Sequence, residues 1–180
     1  MIHLHQYEFG NDTKAHSKKK LIENLSHYLG KNQNEINIQN NENGKPYVSD
    51  IFFSVSHCKD KVVQIFSFSD EVGVDIEFRN SNRRYLNLAK RYFHKFEYNQ
   101  LTTIPAQDSL KLFYNLWTVK EAVCKTNGGR LWYYLANNYL SNDMKIAPQT
   151  HGINVKCLNQ ITDFSLCIAS KNQIELKNHG

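Results

Sequence analysis

Three acidic residues in two separate segments have the types and spacing of ligands for one hard metal ion. Asp75 and Glu77 lie two positions apart in a segment with a strand pattern, so both carboxylates would point to the same face. Glu121 lies in a helical pattern and can supply a third oxygen from another element. Because Mg²⁺ prefers carboxylate, water and phosphate oxygens, these residues predict an open metal site that holds a diphosphate.

Each acid also has a plainer interpretation. Asp75 and Glu77 could be solvent-facing residues on a half-buried strand. Glu121 and Lys125 could be an ordinary helix pair at i and i+4, which stabilises a helix by about 0.2–0.5 kcal/mol. Taken singly, the plain interpretation is favoured, and only the occurrence of all of them beside Trp117 and Lys120 favours the metal site.

Several segments resemble the signature of the surfactin-synthetase-activating class of 4′-phosphopantetheinyl transferases. The two metal-ligand segments read GVDIE at 73–77 and WTVKEAVCK at 117–125. Around them, in the family's order, stand GKP at 44–46, FSVSH at 53–57, RYFHKFE at 91–97 and GGRL at 128–131. The resemblance covers roughly half of the chain, from about residue 44 to residue 131.

The resemblance implies an Mg²⁺-dependent enzyme that transfers 4′-phosphopantetheine from coenzyme A to a serine of an apo acyl, peptidyl or aryl carrier protein. Adenosine 3′,5′-bisphosphate would be released. Helices mixed with mostly antiparallel strands already predict an α+β fold. The resemblance adds two similar α/β lobes, packed as a pseudo-dimer, with coenzyme A in the cleft between them. We place the lobes at residues 1–100 and 101–180.

The resemblance also assigns roles to individual residues. Asp75, Glu77 and Glu121 match the metal ligands, and Glu121 is the candidate base for the carrier serine, directly or through water. Lys125 would stabilise or protonate the departing nucleotide. The remaining cofactor-binding candidates are Lys45, Ser56, His57 and Lys120.

Some of these residues have structural alternatives. His57 could be a structural residue at a strand end, and Lys120 could be a solvated helix lysine. We interpret Glu97 as a supporting residue or a cleft residue, and Trp117 as part of the core or of the cleft wall. The segment before the first helix is shorter than in many members of the family, where additional basic residues there contact the nucleotide.

The elements that must position these residues follow from periodicity. Residues 2–9 predict a strand that ends at Asn11 and Asp12, and a helix with Ser17 as its cap follows to Gly30. A short strand is expected at Ile36 and Ile38. A hairpin is predicted around residues 59–61, with several strands after residue 133. One helix is predicted from residue 85 to the region 102–105, where proline ends it, and another at 107–127.

Composition narrows the function classes. The chain has 180 residues, a formal net charge of +5 and 41% hydrophobic residues, which suits a globular protein without a bilayer span or a signal peptide. The four cysteines lack metal-binding spacing and are predicted to be reduced, as in the cytoplasm. We expect a monomer that binds neither membranes nor nucleic acid, since its one dense basic cluster is KKK at 18–20.

Two alternatives to the enzyme stay open. The first is a coenzyme A-binding scaffold or regulator that has lost turnover, although the intact acids and Lys125 argue against it. The second is a small basic nucleic-acid-binding domain, which would bind RNA or DNA in a salt-sensitive way without magnesium.

Overall fold

Two four-stranded sheets form the framework of the protein, in a computed structural model that describes residues 1–10, 12–158 and 160–179. The strands are β1 (Ile2–Glu8), β2 (Gln39–Asn40), β3 (Pro46–Tyr47), β4 (Phe52–Cys58), β5 (Lys61–Ser67), β6 (Val72–Phe78), β7 (Gln149–Thr150), β8 (Ile153–Leu158), β9 (Phe164–Ser170) and β10 (Leu176–Asn178). The helices are α1 (Thr13–Leu29), α2 (Tyr85–Tyr92), α3 (Lys95–Thr103), α4 (Ala106–Asn127) and α5 (Trp132–Leu135), with a 3₁₀ turn at Gln33–Glu35. This confirms the predicted α+β class.

The first sheet has the order β10-β1-β5-β4, and only β10 and β1 run parallel. Helix α1 packs on it through a small core in which Leu25 contacts Phe53 and Phe66. The predicted hairpin is β4 and β5, whose register pairs Phe53 with Phe66. The other face of this sheet lies against the second sheet.

The second sheet has the order β6-β9-β8-β7 and is antiparallel throughout. Its inner face contributes Val74 and Ile76 to a core shared with β1 and β5 of the first sheet. Its outer face is covered by α4. The layers are therefore helix, sheet, sheet and helix, and strand alternation turns Asp75 and Glu77 away from the shared core toward α4.

Gly73 lets α4 approach β6 closely. A Cβ atom at this position would lie 2.0 Å from the carbonyl oxygen of Ala122 and 2.6 Å from the backbone nitrogen of Thr126. No side chain fits between the strand and the helix at this point. The close contact brings the outer face of β6 within reach of side chains on the last turns of α4.

The two sheets meet where β4 runs beside β6. The backbone N–H groups of β6 donate hydrogen bonds to side chains of β4 instead of to its backbone. The pairs are Val74 to Ser54 (3.1 Å), Ile76 to Ser56 (3.3 Å) and Phe78 to Cys58 (3.3 Å). These bonds satisfy N–H groups on the edge of β6 that faces β4. They also hold the serines of β4 beside the carboxylates of β6.

Several predicted boundaries needed correction. Helix α1 ends at Gly30 as predicted, but its N-cap is Asp12 and the predicted cap Ser17 is buried within the helix. Asn11, predicted to begin the break before α1, lies outside the described residues. The helix predicted from residue 85 to the region 102–105 is two helices, because the chain is extended at Phe93 and the His94 ring accepts the N–H of Phe96 to begin α3. None of the described helices has the length and apolarity needed to cross a bilayer.

The strand predicted at Ile36 and Ile38 is wrong. Residues 33–35 form the 3₁₀ turn, and the strand that follows is the two-residue β2, paired with β3. Helix α4 agrees with the predicted helix at 107–127 and ends at Gly128, whose φ of 75° is a conformation that glycine adopts without strain. Strands do follow residue 133, after the short α5.

Sheet membership does not follow the predicted lobe boundary at residue 100. The chain passes from the first sheet to the second between Ser67 and Val72, and β10 then returns to pair with β1. Both sheets contain a set in which the first strand pairs with the third: β1-β5-β4 in one and β6-β9-β8 in the other. The division into lobes at residues 1–100 and 101–180 stays a prediction.

The prediction that all four cysteines are reduced is wrong for one pair. Cys157 and Cys167 lie directly opposite each other on β8 and β9 and form a disulfide. Nothing in the spacing of these cysteines in the sequence predicts a disulfide, and the register of β8 and β9 brings them together. Cys58 and Cys124 are free thiols.

Candidate active site

The three predicted metal ligands meet between β6 and α4. Asp75, Glu77 and Glu121 each offer a carboxylate oxygen, and these oxygens lie within 4.8 Å of one another. Asp75 is only 3% exposed, and both glutamates are half-buried. This acid triad is the one cluster of three or more potential metal ligands in the described part of the chain.

The two oxygens of Asp75 have different surroundings. Its Oδ1 accepts hydrogen bonds from the Ser56 hydroxyl (2.8 Å) and from the Lys125 ammonium (2.7 Å). Its Oδ2 is buried and has no hydrogen-bond partner among the described residues. A buried carboxylate oxygen without a partner is costly, and a divalent cation is the ligand that would satisfy it next to two further carboxylates.

Charge repulsion in the triad is visible in the pKa values. Burial, and then the Asp75 carboxylate, raise the pKa of Glu121 to about 7, with Lys125 opposing the rise. Burial and the same carboxylate raise the pKa of Glu77, and burial raises the pKa of Asp75 against the opposing effect of Lys125. Nearby cations offset the clustered charge of the three acids only in part, so the residues fit a divalent metal ion.

Trp117 forms a wall of this site, as the sequence analysis expected. Its ring is 9% exposed, and its indole N–H has no partner of normal geometry among the described residues. It lies close enough to Glu77 and Glu121 to lower the pKa of both. The guanidinium of Arg83 lies 4.8 Å from the centre of the ring and also lowers the pKa of Glu77. Sequence analysis missed Arg83, since nothing in its spacing connects it to the triad.

A cleft of about 240 Å³ begins next to Lys125. Its lining residues are Asn43, Gly44, Lys45, Pro46, Phe53, Ser54, Val55, Cys124, Lys125, Gly128 and Gly129. Lys45 donates to the carbonyl of Thr126 (2.7 Å), and burial lowers its pKa. Two lysines therefore stand in one cleft that opens beside the acid triad, which suits an anion such as a phosphate group.

The structure separates Ser56 from His57. The Ser56 hydroxyl faces β6, where it holds Asp75 and also receives a hydrogen bond from Lys125 (3.1 Å). His57 is the next residue on the same strand, so its side chain points to the opposite face, where it is exposed. Of these two neighbouring residues, only Ser56 contacts the acid triad.

Lys120 is a correction to the predicted set of cofactor-binding residues. Its side chain is 0% exposed and forms an ion pair with Glu97 (2.7 Å). It also donates to the carbonyls of Leu135 (2.9 Å) and Asn137 (2.6 Å). Its α4 position, one residue before Glu121, turns it into the core, so neither a phosphate contact nor a solvated lysine describes it. Glu97, which also accepts the N–H of Tyr139 (2.8 Å), is the supporting residue that the sequence predicted.

The class of protein is defined by an α+β framework in which three carboxylates that could hold a divalent metal ion converge beside a lysine-lined cleft. Comparison with known proteins gives the family. The family model described as the 4′-phosphopantetheinyl transferase superfamily matches residues 71–178. The chain belongs to this superfamily.

Curated relatives agree with this assignment. The chain is 30% identical over 110 residues to 4′-phosphopantetheinyl transferase HetI of Nostoc sp. (58% of this chain, 46% of the relative). It is 32% identical over 94 residues to AcpT of Escherichia coli K12 (51% and 48%) and 33% identical over 99 residues to Sfp of Bacillus subtilis 168 (53% and 43%), both named as 4′-phosphopantetheinyl transferases. The matched segment spans less than half of the length of each of these relatives.

Proposed function

We propose that this protein transfers 4′-phosphopantetheine from coenzyme A to a serine of an apo carrier protein. The observation that carries the proposal is the acid triad, in which the buried Oδ2 of Asp75 has no hydrogen-bond partner among the described residues. Superfamily membership supports the reaction type. A bound Mg²⁺ would be held by Asp75, Glu77 and Glu121 and would neutralise charge on the diphosphate of coenzyme A.

The cleft beside the triad is the proposed site for coenzyme A. Lys125 lies at the boundary between the two, since it contacts Asp75 and also lines the cleft. Lys45 is the second cation in the cleft. These two lysines would contact phosphate groups, and Ser56 would act by holding Asp75 and Lys125 in place. His57 points away from this cluster, so its predicted phosphate contact would require a part of the ligand that reaches the opposite face of β4.

The proposed transfer needs one base and one group that stabilises the leaving nucleotide. The serine oxygen of the carrier forms a bond to the phosphorus that bears the pantetheine arm, and the bond from that phosphorus to the bridging oxygen of the nucleotide breaks. Glu121 accepts the serine proton, directly or through one water. Lys125 stabilises the charge that develops on adenosine 3′,5′-bisphosphate as it departs. Burial raises the pKa of Glu121 to about 7 without metal, and a bound Mg²⁺ would lower it again, so proton transfer through water fits as well as direct transfer.

The proposal extends to the lobes of the fold, the oligomeric state, the partner and the location of the protein. The shared strand order of the two sheets supports two related lobes packed as a pseudo-dimer. Because one chain would then form the whole cleft, we propose that the enzyme acts as a monomer. The carrier protein is the proposed macromolecular partner, and the cytoplasm is the proposed location.

The test is to incubate the protein with coenzyme A, Mg²⁺ and apo acyl and peptidyl carrier proteins, and to measure carrier mass. Each modified carrier should gain one phosphopantetheine group. Asp75→Ala should lose transfer, whereas Asp108→Asn, an exposed acid at the start of the same helix that carries Glu121, should keep it. If no apo carrier gains mass with the wild-type protein, the inactive coenzyme A-binding scaffold becomes the better description.

A further inference from the structure

Most of the exposed aromatic residues are close in sequence to residues that line the cleft. The large hydrophobic side chains that are exposed in the described part of the chain are Met1, Tyr47, Phe52, Phe68, Trp132 and Tyr133. Four of the six are within four residues of cleft-lining residues in the sequence, whereas Met1 and Phe68 are not. We call the two pairs, Tyr47 with Phe52 and Trp132 with Tyr133, the two rims. Exposed apolar side chains gathered beside a ligand cleft mark surfaces where a partner binds.

One of the two rims has an exposed cation and no acidic residue near it in sequence. Trp132 and Tyr133 in α5 are 57% and 68% exposed. The guanidinium of the exposed Arg130 lies 5.4 Å from the centre of the Trp132 ring. Residues 122–142 contain Lys125 and Arg130 but no aspartate or glutamate. We call Arg130, Trp132 and Tyr133 the aromatic patch.

The other rim is mixed in charge. Tyr47 and Phe52 are 43% and 41% exposed, but the exposed acids Glu42 and Asp50 stand near them in sequence. An acidic partner would be repelled by these carboxylates. Charge therefore distinguishes the two rims and favours the aromatic patch for an acidic partner.

The aromatic patch is held rigidly against the cleft. The Tyr134 hydroxyl donates to the carbonyl of Gly128 (2.9 Å), one of the glycines that line the cleft. At the other end of α5, the buried Lys120 ammonium donates to the carbonyls of Leu135 and Asn137. A surface that is already fixed loses little conformational entropy when a partner binds. The buried Lys120–Glu97 ion pair therefore helps to fix α5 in position.

We propose that the aromatic patch is the docking surface for the carrier protein. The inference rests on the proposed function, because that function requires a protein substrate to bring its serine to the mouth of the cleft. The partner that fits is a small acidic carrier with an apolar side chain close to its serine. Tryptophan, tyrosine and arginine are the residues that most often dominate the binding energy of protein interfaces, and the cationic surroundings complement an acidic surface.

The test is a binding measurement that needs no turnover. Dye-labelled apo acyl carrier protein and apo peptidyl carrier domain are titrated with the full chain, and the dissociation constant is read from fluorescence anisotropy. Trp132→Ala and Tyr133→Ala should each raise that constant by about tenfold or more. Arg130→Glu should raise it as well, most strongly at low salt. Phe68→Ala is the matched control, since this side chain is 54% exposed and belongs to neither rim.

Other outcomes would overturn the proposal. Unchanged carrier affinity in both aromatic variants would overturn it, and so would a wild-type protein that binds neither carrier. Weaker binding of coenzyme A to Trp132→Ala, measured by calorimetry, with normal carrier affinity would assign the patch to the nucleotide. A change in oligomeric state in the variants would assign it to a second copy of this chain.

The two proposals fail in different ways. A wild-type protein that binds carriers through the aromatic patch but transfers nothing would contradict the proposed function alone. Transfer by the wild type, together with unchanged binding in the variants, would contradict the docking surface alone.

Discussion

The substitution Glu121→Gln should stabilise the metal-free protein and weaken its response to Mg²⁺. Glutamine keeps the size of the side chain and removes one of the three negative charges in the acid triad. Asp75 is less suitable for this test, because its carboxylate also holds Lys125 and Ser56. A residue that forms part of an active site is expected to cost stability when its ligand is absent, and Glu121 is placed to show this.

Two estimates give the magnitude. The triad oxygens lie within 4.8 Å of one another. Two unit charges at that distance repel each other by about 3 kcal/mol when the effective dielectric constant is about 20. The rise in the pKa of Glu121 from 4.5 to about 7 corresponds to about 3 kcal/mol, at about 1.4 kcal/mol for each pKa unit. We therefore expect Glu121→Gln to raise the free energy of unfolding by about 2–3 kcal/mol at pH 8, which raises the melting temperature by about 5–10 °C in a protein of this size.

The assay is thermal unfolding followed by circular dichroism, first in EDTA and then with MgCl₂. Wild-type protein should gain about 2.7 kcal/mol when Mg²⁺ is at a hundredfold excess over its dissociation constant, and Glu121→Gln should gain much less. Asp108→Asn should behave as wild type in both conditions. A lower melting temperature for Glu121→Gln in EDTA, or an undiminished gain with Mg²⁺, would refute the repulsion argument.

Three further predictions follow from the same contacts. Without Mg²⁺, the wild-type melting temperature should fall from pH 5 to pH 8. The pKa of Glu121 in the folded protein (about 7) exceeds its ordinary 4.5, so stability is lost as pH rises through the folded value. A stability to heat or urea that does not change with pH would contradict this. Lys120→Met should lower the free energy of unfolding by about 3–5 kcal/mol because it leaves the Glu97 carboxylate buried and unpaired, and the double variant with Glu97→Leu should recover part of the loss in urea titrations. Gly73→Ala should destabilise the protein and weaken Mg²⁺ binding together, since the new methyl group would force α4 away from β6 at Ala122; normal melting and normal Mg²⁺ affinity would show that the helix adjusts freely.

The convergence of the three acids was predictable because their positions depend on local periodicity. Alternation along a strand places Asp75 and Glu77 on one face, and helical periodicity places Glu121 and Lys125 on one side of α4. The family resemblance then indicated that the strand and the helix face each other. The structure confirms that these carboxylates converge, and it adds what periodicity cannot show: the two oxygens of Asp75 have unequal surroundings.

The errors fall on residues whose surroundings come from distant parts of the chain. Lys120 has the residue type of a phosphate ligand, but Glu97 and the end of α5 surround it completely. The pairing of Cys157 with Cys167 follows from strand register, which the spacing of cysteines in sequence does not reveal.

The sequence by itself determined the class of fold, the order of its main elements and the three acidic residues that can hold a metal ion. These depend on short-range periods and residue chemistry, which can be read within one segment. Only the tertiary structure decided which element packs against each face, and with it the partner of Asp75, the burial of Lys120 and the outward position of His57. The physical reason is that a side chain's electrostatic environment is set by packing between segments that are far apart in the chain, and local sequence does not specify that packing.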